Sequence, residues 1–147
     1  MMRSRGRLMS IKKIDDLETK LRSASSLEEF LFENSFPELD FYTSLRDLYY
    51  NSCDSKMVLA TKTGLSYVYV CQIFLGKRKP SRDSLLRLCL GMEVELEQCQ
   101  ELLRRNMNST LYVKRRRDAV IMYGILHRLG VFEVNDMLDN VGEMPLF

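Results

Sequence analysis

An all-α fold is predicted by three features of the 147-residue sequence. Apolar residues recur at spacings of three and four rather than two, β-branched runs are short, and glycine is scarce and set between helical stripes. With 46% apolar and 29% charged residues, the chain has the balance of a globular protein with a real core rather than of a disordered or fibrous one.

Each element has its own signal. Ile14, Leu17 and Leu21 line one face of a short amphipathic helix, and Ser26-Leu27-Glu28-Glu29 has the S-x-x-E form of a capping box, opening a second helix to about Phe32. Phe36-Pro37-Glu38 interrupts the pattern, because proline drives the residue before it out of helical geometry. From Leu39 the stripe Phe41, Leu45, Leu48 and Tyr49 predicts a helix ending near Asn51. Asp54 or Ser55 caps a helix over 56–63 that Gly64 stops, and Ser66 caps the next, Tyr67 to Leu75, which Gly76 ends. Only Gly64-Leu65-Ser66 separates these two, which is helix-turn-helix spacing.

Ser81 caps a further helix whose inward face is Leu85, Leu88 and Cys89, with Leu86 flanking, and Gly91 closes it. Leu96, Cys99, Leu102 and Leu103 stripe a helix from about Glu95 to Arg105. A hairpin follows, Arg115 to about Arg128 and Phe132 to about Asn140, hinged at Gly130. The expected division is a basic arm and short helical extension over 1–38, a helix-turn-helix domain over 39–106, and a C-terminal helical hairpin over 107–147.

Several function classes are set aside. No stretch approaches the ~20 apolar residues of a membrane span, and the start of the chain lacks the apolar core of a secretory signal, so a cytoplasmic protein with no membrane partner is expected. Cys53, Cys71, Cys89 and Cys99 lie 18, 18 and 10 residues apart with no C-x-x-C pair, which fits neither a zinc site nor a disulfide framework. They are read as small hydrophobes, Cys71 alone as exposed. The single histidine, His127, and the lack of a phosphate-cradling glycine loop leave no constellation for catalysis. No metal, cofactor or catalytic residue is expected; the chain is read as acting by binding.

Net charge is only +2, yet it is segregated: +5 over residues 1–13, −7 over 14–55, +6 over 56–82, −4 over 83–103, +5 over 104–118 and −3 over 119–147. The 56–82 block holds Lys56, Lys62, Lys77, Arg78, Lys79 and Arg82 without one carboxylate. Such a face meets an anionic partner or is a solvated surface balanced by its acidic neighbours. Arg3, Arg5, Arg7, Lys12 and Lys13 form either a basic arm or a terminal segment without function, and Lys114-Arg115-Arg116-Arg117 is a second cluster that precedes or opens a predicted helix, meeting phosphate or pairing with nearby carboxylates in a solvated turn. Cations there oppose the helix dipole by roughly 0.3–1 kcal/mol each.

The stretch from Leu59 to Ser81, with Ala60 in its first helix, the Thr63-Gly64-Leu65-Ser66 turn, aliphatic Val70 and Ile73, and the Gly76-Lys77-Arg78-Lys79-Pro80-Ser81 loop, resembles the core of the lambda-repressor-like (Cro and xenobiotic-response-element) family. The resemblance covers residues 39–106. It implies a five-helix domain on double-stranded DNA, with helix 66–75 in the major groove and the preceding helix across the backbone. Ser66, Tyr67, Val68 and Gln72 then fall at base-reading positions. Gln72 is the best reader, because its amide donates and accepts against adenine N6 and N7. Lys56, Lys62, Tyr69, Lys77, Arg78 and Lys79 fall at phosphate positions, with Arg115, Arg116 and Arg117 as an additional set. A homodimer is expected, since one such helix covers a half-site.

Tyr67, Val68, Cys71 and Phe74 stand where family members often carry Gln, Arg, Asn, Ser or Glu. Val68 suits a thymine methyl, whereas an apolar stripe of Tyr67, Val68, Cys71 and Leu75 also suits a protein partner. The alternative reading is therefore a protein-interaction adaptor on the same fold.

Overall fold

The computed structural model describes residues 16–34 and 36–147, and every regular element among them is helical. The basic arm and Ile14 lie outside the described residues. The chain divides between Phe36 and Pro37.

In the first unit α1 spans 16–23 and α2 spans Leu27–Glu33. Ser26 caps α2 by accepting the Glu29 N–H at 3.1 Å. The reciprocal half of the predicted capping box is absent, since Glu29 instead accepts from Ser25 Oγ. Phe30 is buried, with the Phe36 ring edge-on at 6.3 Å.

The second unit contains α3 (Pro37–Ser52), α4 (Lys56–Thr63), α5 (Tyr67–Phe74), α6 (Arg82–Gly91), α7 (Leu96–Arg105), α8 (Arg116–Leu126) and α9 (Val131–Asn140). Proline opens α3 at its first position, where the missing N–H has no intrahelical acceptor to lose. Helix α6 is the axis: it packs on α4, α7, α8 and α9, and every residue from Ser84 to Gly91 is buried, including Leu86, which pattern alone puts at the flank. Leu59, Val70, Ile73, Leu85 and Leu88 share one core with Ile121, Ile125, Val134 and Leu138, so the C-terminal hairpin belongs to the same compact unit as residues 37–106.

Two predicted turns differ in mechanism. Gly91 is the last residue of α6 and not its left-handed stop; a Cβ there would lie 2.6 Å from Thr63 Cγ2, so it permits close approach of α4. The left-handed exit falls on Glu93, at φ 54°. Gly130 caps α9 at φ −79°, and the reversal before it is made by Arg128, at φ 53°. No helix among the described residues is long and apolar enough to cross a membrane.

Candidate nucleic-acid interface

Local chemistry sets α4 and α5 at each end. Ser55 Oγ accepts the Val58 N–H and Ser66 Oγ the Tyr69 N–H, both at 3.1 Å. Gly64 leaves α4 at φ 70°, where a Cβ would crowd the next carbonyl. Leu65 then turns into the core while its N–H reaches the buried Thr63 hydroxyl at 3.3 Å. At the far end Gly76 (φ 74°) donates to Ile73 O and Lys77 N–H to Gln72 O, a Schellman end that fixes the basic loop to α5.

Two arginines that the sequence reading does not single out hold the ends of these helices. Arg46 of α3 gives Nε and Nη2 to Phe74 O, at 3.1 and 2.9 Å, and Arg87 of α6 gives Nε to Thr63 O at 2.9 Å. Each satisfies the carbonyl of the last residue of one helix and puts a cation at its negative end. Arg87 is buried, its guanidinium lies 4.1 Å from the Phe147 ring centroid, and burial draws its pKa below the ordinary arginine value. Its signal in the sequence is an arginine inside the apolar run Leu85-Leu86-Arg87-Leu88; Arg46 has none.

Opposite the buried Val70, Ile73 and Phe74, α5 presents Tyr67, Val68, Cys71, Gln72 and Leu75. Val68 and Leu75 are 63% and 59% exposed, Tyr67 is exposed, and Cys71 and Gln72 are half-buried. Cys53, not Cys71, is the exposed cysteine. A hydrogen bond to the Cys71 thiol holds the Tyr67 hydroxyl above the usual tyrosine pKa. Ser66 is exposed, its oxygen already engaged as the cap.

The cations expected at phosphate positions differ in setting. Lys77, Arg78 and Lys79 are exposed, with Arg78 Cζ 5.2 Å from the centroid of the half-buried Tyr69 ring. Lys56 is half-buried in the first turn of α4. Lys62 is bound at 2.8 Å to Asp54, whose hydrogen bond raises the lysine pKa. Arg115 and Arg116 are exposed, whereas Arg117 is engaged inside the fold with Asp83 and with the Met144 and Pro145 carbonyls.

Elsewhere, Cys89 and Cys99 are buried against each other, and their hydrogen bond together with burial pushes the Cys89 thiol up. His127 is an exposed cap at the end of α8, its ring 4.1 Å from that of Tyr123. No group of three or more metal-ligating side chains gathers among the described residues. Compared with protein-family models, with curated proteins and with solved structures, the chain matches none of them.

Proposed function

We propose that this chain is a lambda-repressor-like, sequence-specific regulator of transcription that binds double-stranded DNA, with α5 in the major groove, α4 across the backbone and a second copy on the other half-site. The observation that carries this reading is the outward stripe of α5, ending in the exposed cations Lys77, Arg78 and Lys79 that a Schellman turn fastens to the helix. Gln72 is the adenine reader, Ser66, Tyr67 and Val68 occupy the leading turn, and Lys56, Lys62 and Tyr69 join the loop cations on phosphates. Arg46 and Arg87, by holding the ends of α5 and α4, position these groups.

The test is binding of the full chain to mixed-sequence duplex DNA across a salt series. Affinity falls steeply with salt, and K77A/R78A both weakens binding and flattens the slope by about 1.8, near 0.9 for each phosphate left without its cation. Absence of binding at low salt contradicts the reading. The exposed apolar side chains of Tyr67, Val68 and Leu75 favour the second reading, an adaptor that uses this stripe against a protein.

A further inference from the structure

Two basic segments far apart in the sequence are carried to adjoining helix starts. Arg82, in the first turn of α6, donates to Ser109 O and Thr110 O and pairs with Asp118 of α8 at 3.2 Å. Arg117, beside Asp118, returns the arrangement by pairing with Asp83, beside Arg82, at 3.0 Å. Asn106 Nδ2 ties the Pro80 carbonyl to the end of α7 at 3.0 Å. The first turns of α6 and α8 are thereby cross-bonded. Lys79 lies three residues before Arg82, and Arg116 is next to Arg117.

Of the four successive cations Lys114 to Arg117, only Arg117 has an ion-pair partner among the described residues; the other three are exposed. Arg115 occupies the N-cap of α8 without a side-chain cap bond, and Arg116 is the first helical residue. Both sit at the positive end of the helix dipole, where a cation is unfavourable for the helix itself. No ion pair among the described residues uses their charge, and the bonds from Asn106 to Pro80 O, Arg82 to Asp118 and Arg117 to Asp83 tie their segment to the start of α6, just after the loop that carries Lys77, Arg78 and Lys79.

We propose that Lys114, Arg115 and Arg116 join Lys77, Arg78 and Lys79 in one ridge that grips the phosphate backbone of duplex DNA alongside the groove entered by α5; this rests on the DNA-binding reading. The ridge is built from two chain segments, so the hairpin takes part in binding instead of only completing the core. Its contacts add affinity and salt dependence without base choice.

The experiment is a salt series on a mixed-sequence duplex of about 20 base pairs, comparing the full chain with R115A/R116A, R115Q/R116Q and K77A/R78A. Both arginine pairs are expected to flatten the slope of log affinity against log salt by about 1.8, as K77A/R78A does. Their thermal midpoint is expected to rise, because two cations leave the positive end of α8. A purely structural role would lower the midpoint and leave the slope alone, which overturns the proposal. If K77A/R78A flattens the slope and neither arginine pair does, the ridge is wrong and the DNA reading stands. A wild-type chain with no salt-dependent duplex binding overturns both.

Discussion

Arg117 forks onto both carboxylate oxygens of Asp83, Nη1 to Oδ1 and Nη2 to Oδ2, each at 3.0 Å, and so joins the first turn of α8 to the first turn of α6. Two parallel charge-assisted bonds fix orientation as well as distance. The companion pair, Arg82 with Asp118, is drier: the Asp118 side chain is 4% exposed and also accepts the Tyr112 N–H, while that of Asp83 is 38% exposed. Asp83 and Asp118 both stand in the first turn of a helix, where a negative charge is favoured.

The two pairs therefore differ in what their loss costs. Asp118→Ala leaves the partly buried Arg82 guanidinium without its counter-charge, held only by the Ser109 and Thr110 carbonyls, and strips the Tyr112 N–H of its acceptor, and a stability loss of about 3 kcal/mol is expected. Asp83→Ala breaks a more solvated pair and is expected to cost about 1 kcal/mol. Urea unfolding of both variants checks the order; a D83A loss equal to or above that of D118A contradicts this assignment.

Lys62 has two anionic claimants under the DNA-binding reading, Asp54 at 2.8 Å and a phosphate. Asp54→Asn frees the lysine at a stability cost of only about 0.2–1 kcal/mol, since the pair is substantially exposed. Duplex affinity at moderate salt is expected to rise. Unchanged affinity in a fluorescence anisotropy titration removes Lys62 from the interface.

At Gly124 and Gly91 an added Cβ would collide with a side chain of a neighbouring helix. A Cβ on Gly124 would sit 2.3 Å from Val134 Cγ2, so Gly124→Ala must displace the buried Val134 side chain or widen the α8–α9 spacing. Overpacking of about 1–3 kcal/mol exceeds the ~1 kcal/mol that alanine gains inside a helix, and a net loss is expected. At Gly91 the obstacle is Thr63, whose hydroxyl donates to Leu59 O and accepts the Leu65 N–H. Gly91→Ala is therefore expected to disturb the turn between α4 and α5, lowering the melting temperature and, under the DNA-binding reading, weakening duplex affinity as well. Thermal scans of both variants, with the binding titration on G91A, check this.

Much of this architecture is legible in the sequence because its signals are local. Ser26, Ser55, Ser66 and Ser81 all cap the helices they precede, and Gly64 and Gly76 adopt the left-handed conformation that ends α4 and α5. Stops made by non-glycine residues at positive φ, Glu93, Met107 and Arg128, carry no such mark, so pattern alone places the α6 exit and the α8–α9 hinge on neighbouring glycines. Charge read from spacing does not separate Arg117 and Lys62, which are paired with Asp83 and Asp54, from Arg115 and Lys77, which face solvent. The C-terminal segment is likewise silent in pattern. Its place follows from long-range contacts: Leu146 donates its N–H to Asn135 Oδ1 and is buried, and Phe147 meets Arg87 and Phe132.

Sequence-specific reading by α5 is tested most directly by selecting bound sequences from a random duplex library with the wild-type chain and with Gln72→Ala. The wild type is expected to enrich a motif containing adenine, opposed by the Gln72 amide, and Q72A to relax the preference at that base while keeping salt-dependent affinity for bulk DNA. A wild-type chain that binds the library and enriches nothing, or a Q72A chain with an unchanged motif, contradicts the assignment of α5 as the reading helix and Gln72 as its reader.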